Sequence, residues 1–151
     1  MTDPLANGRP GPDKLSVVVF AGGFDRVHYA LVMASAAAAT NRKVTLFFTG
    51  RAIRALAAAT PDGKPGWVGL DAADGGESAA DRDSFLTGNG MAGLEELLEA
   101  CVALGVTVMV CEMGMKALTP AVTLRDDVPV QQGGVITFLN DAPKTGAMLF
   151  I

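Results

Sequence analysis

Apolar runs and polar punctuation alternate along the chain in the rhythm of strands and helices. Ser16-Val17-Val18-Val19-Phe20-Ala21 is an uninterrupted run that stops at Gly22-Gly23, the pattern of a central parallel strand entering a tight turn. From Phe24 to about Thr40, residues Val27, Leu31, Ala34, Ser35 and Ala38 recur at helical spacing, with Asp25 placed to act as a cap or dipole partner. After Asn41-Arg42, Lys43 to Phe48 predicts a second strand closing at Thr49-Gly50, and Arg51 to Ala59 a short helix. Met91 to Leu104 places Met91, Leu94, Leu97, Leu98, Cys101 and Leu104 on one helical face, with Glu95, Glu96 and Glu99 largely off it. Gly105 ends that helix, and Val106 to Cys111 predicts the third strand.

The C-terminal third is patterned less clearly. Glu112 to Leu118 fits a short helix, Val128 to Gln131 a short fourth strand, and Ala147 to Ile151 a final strand. Val135 to Leu139 fits two readings: its β-branched residues lean towards a strand, while Gly133-Gly134 and Asn140-Asp141 bracket a short helix equally well. Strands that alternate with helices imply parallel pairing, right-handed crossovers and helices on both sheet faces.

Between Thr60 and Gly90 the periodicity breaks down under repeated Gly and Pro, and Trp67, the only tryptophan, lies inside this stretch. Six acidic residues there (Asp62, Asp71, Asp74, Glu77, Asp81, Asp83) meet two basic ones (Lys64, Arg82), which accounts for the whole net charge of −4. A connection of this length implies a lid, an oligomer contact or disorder. Residues 1–14, with three prolines, two glycines and no continuous apolar stretch, read as a flexible leader rather than a secretory signal, so residues 15–151 are expected to form one domain. With no run of about 18 apolar residues and no cluster of Lys and Arg, neither a membrane nor a nucleic acid is an expected partner, and the cytoplasm is the expected compartment.

Two cysteines in a reducing compartment are expected to be free thiols. Cys111 stands where a buried strand gives way to a helix start, the place where reactive groups of open α/β sheets collect and where a thiol pKa can fall below roughly 8.5. Lys116 would favour the thiolate and Glu112 would oppose it; a buried, inert thiol is the alternative reading. Cys101 lies on the apolar stripe of its helix and is expected to be core. His28, one turn into the first helix, could reach the strand ends or could simply face solvent, and a Cys–His pair would require the two side chains within hydrogen-bonding reach. Gly22-Gly23 lacks the third glycine of a dinucleotide-binding turn, and neither a metal site nor a cofactor is expected from one histidine without a CxxC pair.

Three stretches together resemble the DsrE/DsrF-like sulfur-relay family, including members labelled peroxiredoxin-like: Phe24-Asp25-Arg26-Val27-His28-Tyr29-Ala30-Leu31, Val44 to Gly50, and Gly105 to Met115. The likeness extends to Gly134-Val135-Ile136-Thr137-Phe138-Leu139 and the terminal strand. It implies a three-layer α/β/α sandwich around a mostly parallel five-stranded sheet, with Val135 to Leu139 helical. It also implies that Cys111 carries sulfur as a persulfide, received from a donor protein and passed to an acceptor, in a homo-oligomer, a trimer or hexamer. Cys111-Glu112-Met113-Gly114-Met115 is similar to the Cys-x-Met-x-Met form of one branch. The acidic connection departs from the compact members and is expected to cap the cysteine or to pack between subunits. Two rival readings stand beside sulfur carriage: a non-catalytic module binding a small ligand or partner, and a Cys101–Cys111 redox pair, which needs Cα atoms within about 7 Å.

Overall fold

The apolar runs pair into one sheet. In the computed structural model, which describes residues 11–151, the strands are β1 (Lys14–Val19), β2 (Lys43–Phe48), β3 (Thr107–Cys111), β4 (Val130–Gly133) and β5 (Ala147–Phe150). Their order is β4-β3-β2-β1-β5, and every neighbouring pair is parallel. The helices are α1 (Phe24–Ala39), α2 (Ala79–Gly88), α3 (Leu94–Ala103), α4 (Glu112–Ala117) and α5 (Val135–Asp141), with 3₁₀ segments at Gly50–Leu56 and Gly66–Gly69. Residues 1–10 of the expected leader lie outside the described residues, and Lys14, also assigned to it, instead opens β1.

Register decides which side chains share a face. Val17 pairs with Leu46 and Leu46 with Val108, while Val19 pairs with Phe48 and Phe48 with Val110. These join Val27, Leu31 and Ala34 of α1 and Leu94, Leu98 and Cys101 of α3 in the larger core. The alternate positions Val18, Phe47, Met109 and Cys111 face the other way, where Phe138 of α5 completes a smaller core and stacks on Phe47 with ring centres 4.9 Å apart. The result is a three-layer α/β/α arrangement, thick on the α1/α3 side and thin on the α5 side.

Val135 to Leu139 is helical because of where its neighbours lie. β4 and β5 occupy opposite edges of a parallel sheet, so the chain between them must cross a face, and parallel strands are joined by crossovers rather than hairpins. Gly134 caps the helix, and Phe138 N–H donates to Gly134 O at 3.1 Å. Asp141 at its far end accepts from Thr45 Oγ1 at 2.7 Å and pairs with Lys14.

The segment from Thr60 to Gly90 is built, not structureless. It holds the Gly66–Gly69 turn and α2, whose N-cap Ser78 accepts the Asp81 N–H. The helix expected from Met91 begins only at Leu94, because Met91 N–H is taken by Leu86 O and Leu94 N–H by Asp83 Oδ1, both of α2. The helix expected at Arg51 to Ala59 is the 3₁₀ segment, and the fourth strand starts two residues later than its sequence pattern implies.

Phe138 is the only fully buried side chain of α5 and fills the thin layer. Phe138→Ala is expected to cost about 3 kcal/mol, the lower end of the range for truncating a buried aromatic. Urea unfolding of the variant measures it, and a loss below about 1 kcal/mol would show that α5 contributes little to the fold.

Candidate functional site

Cys111 is the last residue of β3 and the N-cap of α4. Its Sγ accepts the Gly114 N–H at 3.4 Å, and its side chain packs in the smaller core with Phe47, Met109 and Phe138. The residue is 5% exposed. Glu112 and Lys116, the two charges expected to push its ionisation in opposite directions, are both exposed, and neither bonds to the sulfur.

The N–H reaches the sulfur because α4 sits tightly on the end of β2. A Cβ at Gly114 would lie 2.9 Å from Ile53 Cδ1 and 3.0 Å from Thr49 Oγ1. Glycine three residues into a helix is otherwise unfavourable by about 1 kcal/mol relative to alanine. That unusual glycine was the available signal for Gly114. Phe47 and Met109 carried no comparable signal, since their strands are apolar from Leu46 and Val108 onward, and Phe138 lay in the segment whose sequence fits strand and helix alike.

Cys101 is fully buried in the larger core on the opposite face of the sheet, so it does not meet Cys111; both thiols are free. Burial pushes its thiol pKa up to about 11, and its Sγ lies 3.7 Å from Leu31 O. The two-cysteine redox reading therefore lacks its geometry.

His28 is also turned away from Cys111. It lies in α1, on the α3 side of the sheet, where Nε2–H donates to Ala92 O at 2.9 Å and the ring stacks on Phe24 at 5.6 Å. It pins the segment ahead of α3 to α1.

The Gly22-Gly23 turn is filled by the chain itself. Asp71 N–H donates to Gly22 O at 2.9 Å, Phe24 N–H donates to Asp71 O at 3.1 Å, and the Asp71 carboxylate pairs with Arg51. A Cβ at Gly22 would fall 2.5 Å from Arg51 Cβ, so this glycine admits the ion pair. The Arg51 guanidinium holds the Asp71 carboxyl below its usual range. The Phe24 amide that a phosphate cradle would present is already engaged.

The acidic connection serves this same face. Asp74 N–H and Arg82 Nε–H both donate to Asp25, at 2.9 and 3.3 Å, and the Trp67 ring meets Phe24 while its Nε1–H donates to Glu95 Oε1 at 3.1 Å. Among the described residues none of its hydrogen bonds reaches residues 111–116, so they give no support to the expected cap over the cysteine. Glu95 also receives both Arg125 NH groups, and Arg125 in turn grips Asp127. Beside this cluster lies a cleft of about 660 Å³ walled by Ala57–Ala59, Gly66 and Thr123–Asp127. Among the described residues no three His, Cys, Asp or Glu side chains come together as a metal-ligand set, and no helix is long and apolar enough to cross a membrane.

A family model described as the DsrE/DsrF-like family matches residues 14–142, from the start of β1 to just past the end of α5. No curated protein matches the chain.

The elevated pKa of Cys101 has a consequence at alkaline pH. An acid whose folded pKa is raised contributes its stability in full below its unfolded value, roughly 8.5, and loses it as pH climbs towards about 11. Between pH 9 and 11 the wild type is expected to lose up to about 1.4 kcal/mol per pH unit more than Cys101→Ala. Urea unfolding across that range measures the difference, and equal slopes would refute it.

Proposed function

The chain belongs to the DsrE/DsrF-like family, which is associated with sulfur relay, and on that premise we propose that it is a cytoplasmic sulfur carrier or sulfurtransferase with Cys111 as the carrying residue. The observation that carries the reading is the position of Cys111. It is a free thiol at the carboxyl ends of parallel strands, with a backbone N–H directed at its sulfur.

Transfer follows from thiolate chemistry. The Cys111 thiolate attacks the outer sulfur of a donor persulfide; the donor S–S bond breaks and its electron pair leaves with the donor thiolate. Cys111 then holds the sulfur as a persulfide. An acceptor thiolate attacks that outer sulfur in turn and releases Cys111 as thiolate, so the two steps need no net oxidant. The Gly114 N–H, directed at Sγ, stabilises the negative charge that develops there when Cys111 departs as thiolate. The partners of this scheme are donor and acceptor proteins, and the acting form is a homo-oligomer, a trimer or hexamer.

One observation favours a second reading, a non-catalytic module that binds a small ligand. The 660 Å³ cleft falls in the size range of ligand sites, yet Cys111 does not line it.

Incubation with a persulfide donor followed by intact-protein and peptide mass spectrometry separates the two. The expected result is a sulfur adduct of 32 Da, about the mass of one sulfur atom, on the Cys111 peptide, lost in Cys111→Ser and retained in Cys101→Ala. An adduct that persists in Cys111→Ser, or none in the wild type, would overturn sulfur carriage by this residue.

A further inference from the structure

The α5 side of the sheet is incompletely covered at its β5 edge. α5 buries Phe138 against β2 and β3, and on the same face Ser16 of β1 is buried and Val18 partly so, but the edge strand β5 carries side chains that stay exposed. Val18 and Phe150 are register partners, as are Ser16 and Met148, so Met148 and Phe150 project on the same face as Phe47 and Met109. Phe150 is 71% exposed and stacks at 5.6 Å on Phe20, itself 51% exposed. The outer side of α5 adds Val135, Leu139 and Ile136, the last 75% exposed.

A parallel sheet is ordinarily covered on both faces, because its strands carry no polar side. Here the edge strand β5 lacks a covering helix, and an apolar helix surface lacks a neighbour, on the same side of one chain. We propose that this face is where copies of the chain meet, with α5 of one copy covering the β5 edge and Phe20 of another.

Size and charge both fit a second copy. At their exposures the six side chains present on the order of 600 Å² of apolar surface, against roughly 800 Å² per partner in a standard interface. None of the six is charged, and the chain as a whole carries −4, which disfavours an anionic lipid surface as the occupant. The patch also reaches the candidate site, since Val135 lies two residues beyond Gly133, the register partner of Cys111. The assignment rests on the reading that the chain acts as a homo-oligomer and gives that assembly its face.

Sedimentation velocity across roughly 1–100 μM, spanning the affinities of weak to moderate self-association, tests it. The wild type is expected to sediment as a multiple of the monomer mass, and Phe150→Glu and Ile136→Glu each as monomers with unchanged circular dichroism. Tyr29→Glu, an exposed aromatic of α1 on the opposite side of the sheet, is expected to keep the wild-type mass. An assembled wild type that Tyr29→Glu dissociates while the other two do not would overturn the face and leave the oligomer standing. A wild type that stays monomeric, or that binds phosphatidylcholine vesicles as a monomer, would overturn both. Persulfide loading of Cys111 is read separately by mass and is unaffected by any of these outcomes.

Discussion

An all-parallel sheet has no face that water can satisfy, and the rest of this structure follows from covering it. The strands β1, β2 and β3 are apolar on both faces in their second halves, while their polar residues, Lys14, Ser16, Lys43, Thr45 and Thr107, fall near the strand starts on the α5 side, so both faces need packing towards the carboxyl ends. On one side α1 and α3 supply a thick layer with aliphatic residues at helical spacing. On the other, one seven-residue helix meets the demand with a single phenylalanine. The asymmetry leaves one face of the sheet covered by two helices and the other with apolar side chains of its β5 edge still in water.

The same parity separates the two thiols. Cys101 points from α3 into the thick layer, where desolvation suppresses its ionisation. Cys111 points into the thin layer at the strand end, with a backbone N–H on its sulfur. Two cysteines ten residues apart thus lie on opposite sides of the sheet, and single-cysteine chemistry is what the arrangement allows. Among the described residues no charged side chain bonds to the Cys111 sulfur, and the Gly114 N–H is its one polar contact.

The acidic connection shows how a segment with poor periodicity can still be ordered by polar contacts. Asp71 threads through the Gly22-Gly23 turn, Asp25 receives Asp74 and Arg82, Asp83 caps α3, and Glu95 gathers Trp67 and Arg125. Most of these acids are spent on backbone amides and arginines of the chain itself, and they brace the α1/α3 side. Their clustering in sequence reflects an internal scaffold over the first crossover rather than a lid over the thiol.

Local pattern was enough for the strong elements. Lys43 to Phe48, Phe24 to Thr40 and the terminal strand are legible because short-range periodicity and glycine stops report directly on backbone conformation. Ser78-Ala79-Ala80-Asp81 carried a capping signature that marks α2, although the surrounding glycines obscured it. The position of Cys111 at a strand-to-helix junction was legible too. Its face was not, because β3 is apolar from Val108 onward and gives no alternation from which to read inside and outside. Nor could Val135 to Leu139 declare itself a helix, since its own residues favour a strand and only the placement of β4 and β5 at opposite edges demands a crossover. Sequence alone thus determined the strands, the long helix after Gly22-Gly23 and the strand-to-helix position of Cys111. Strand order and register, which are long-range pairings that no local window contains, decided what that thiol faces and which surface remains uncovered.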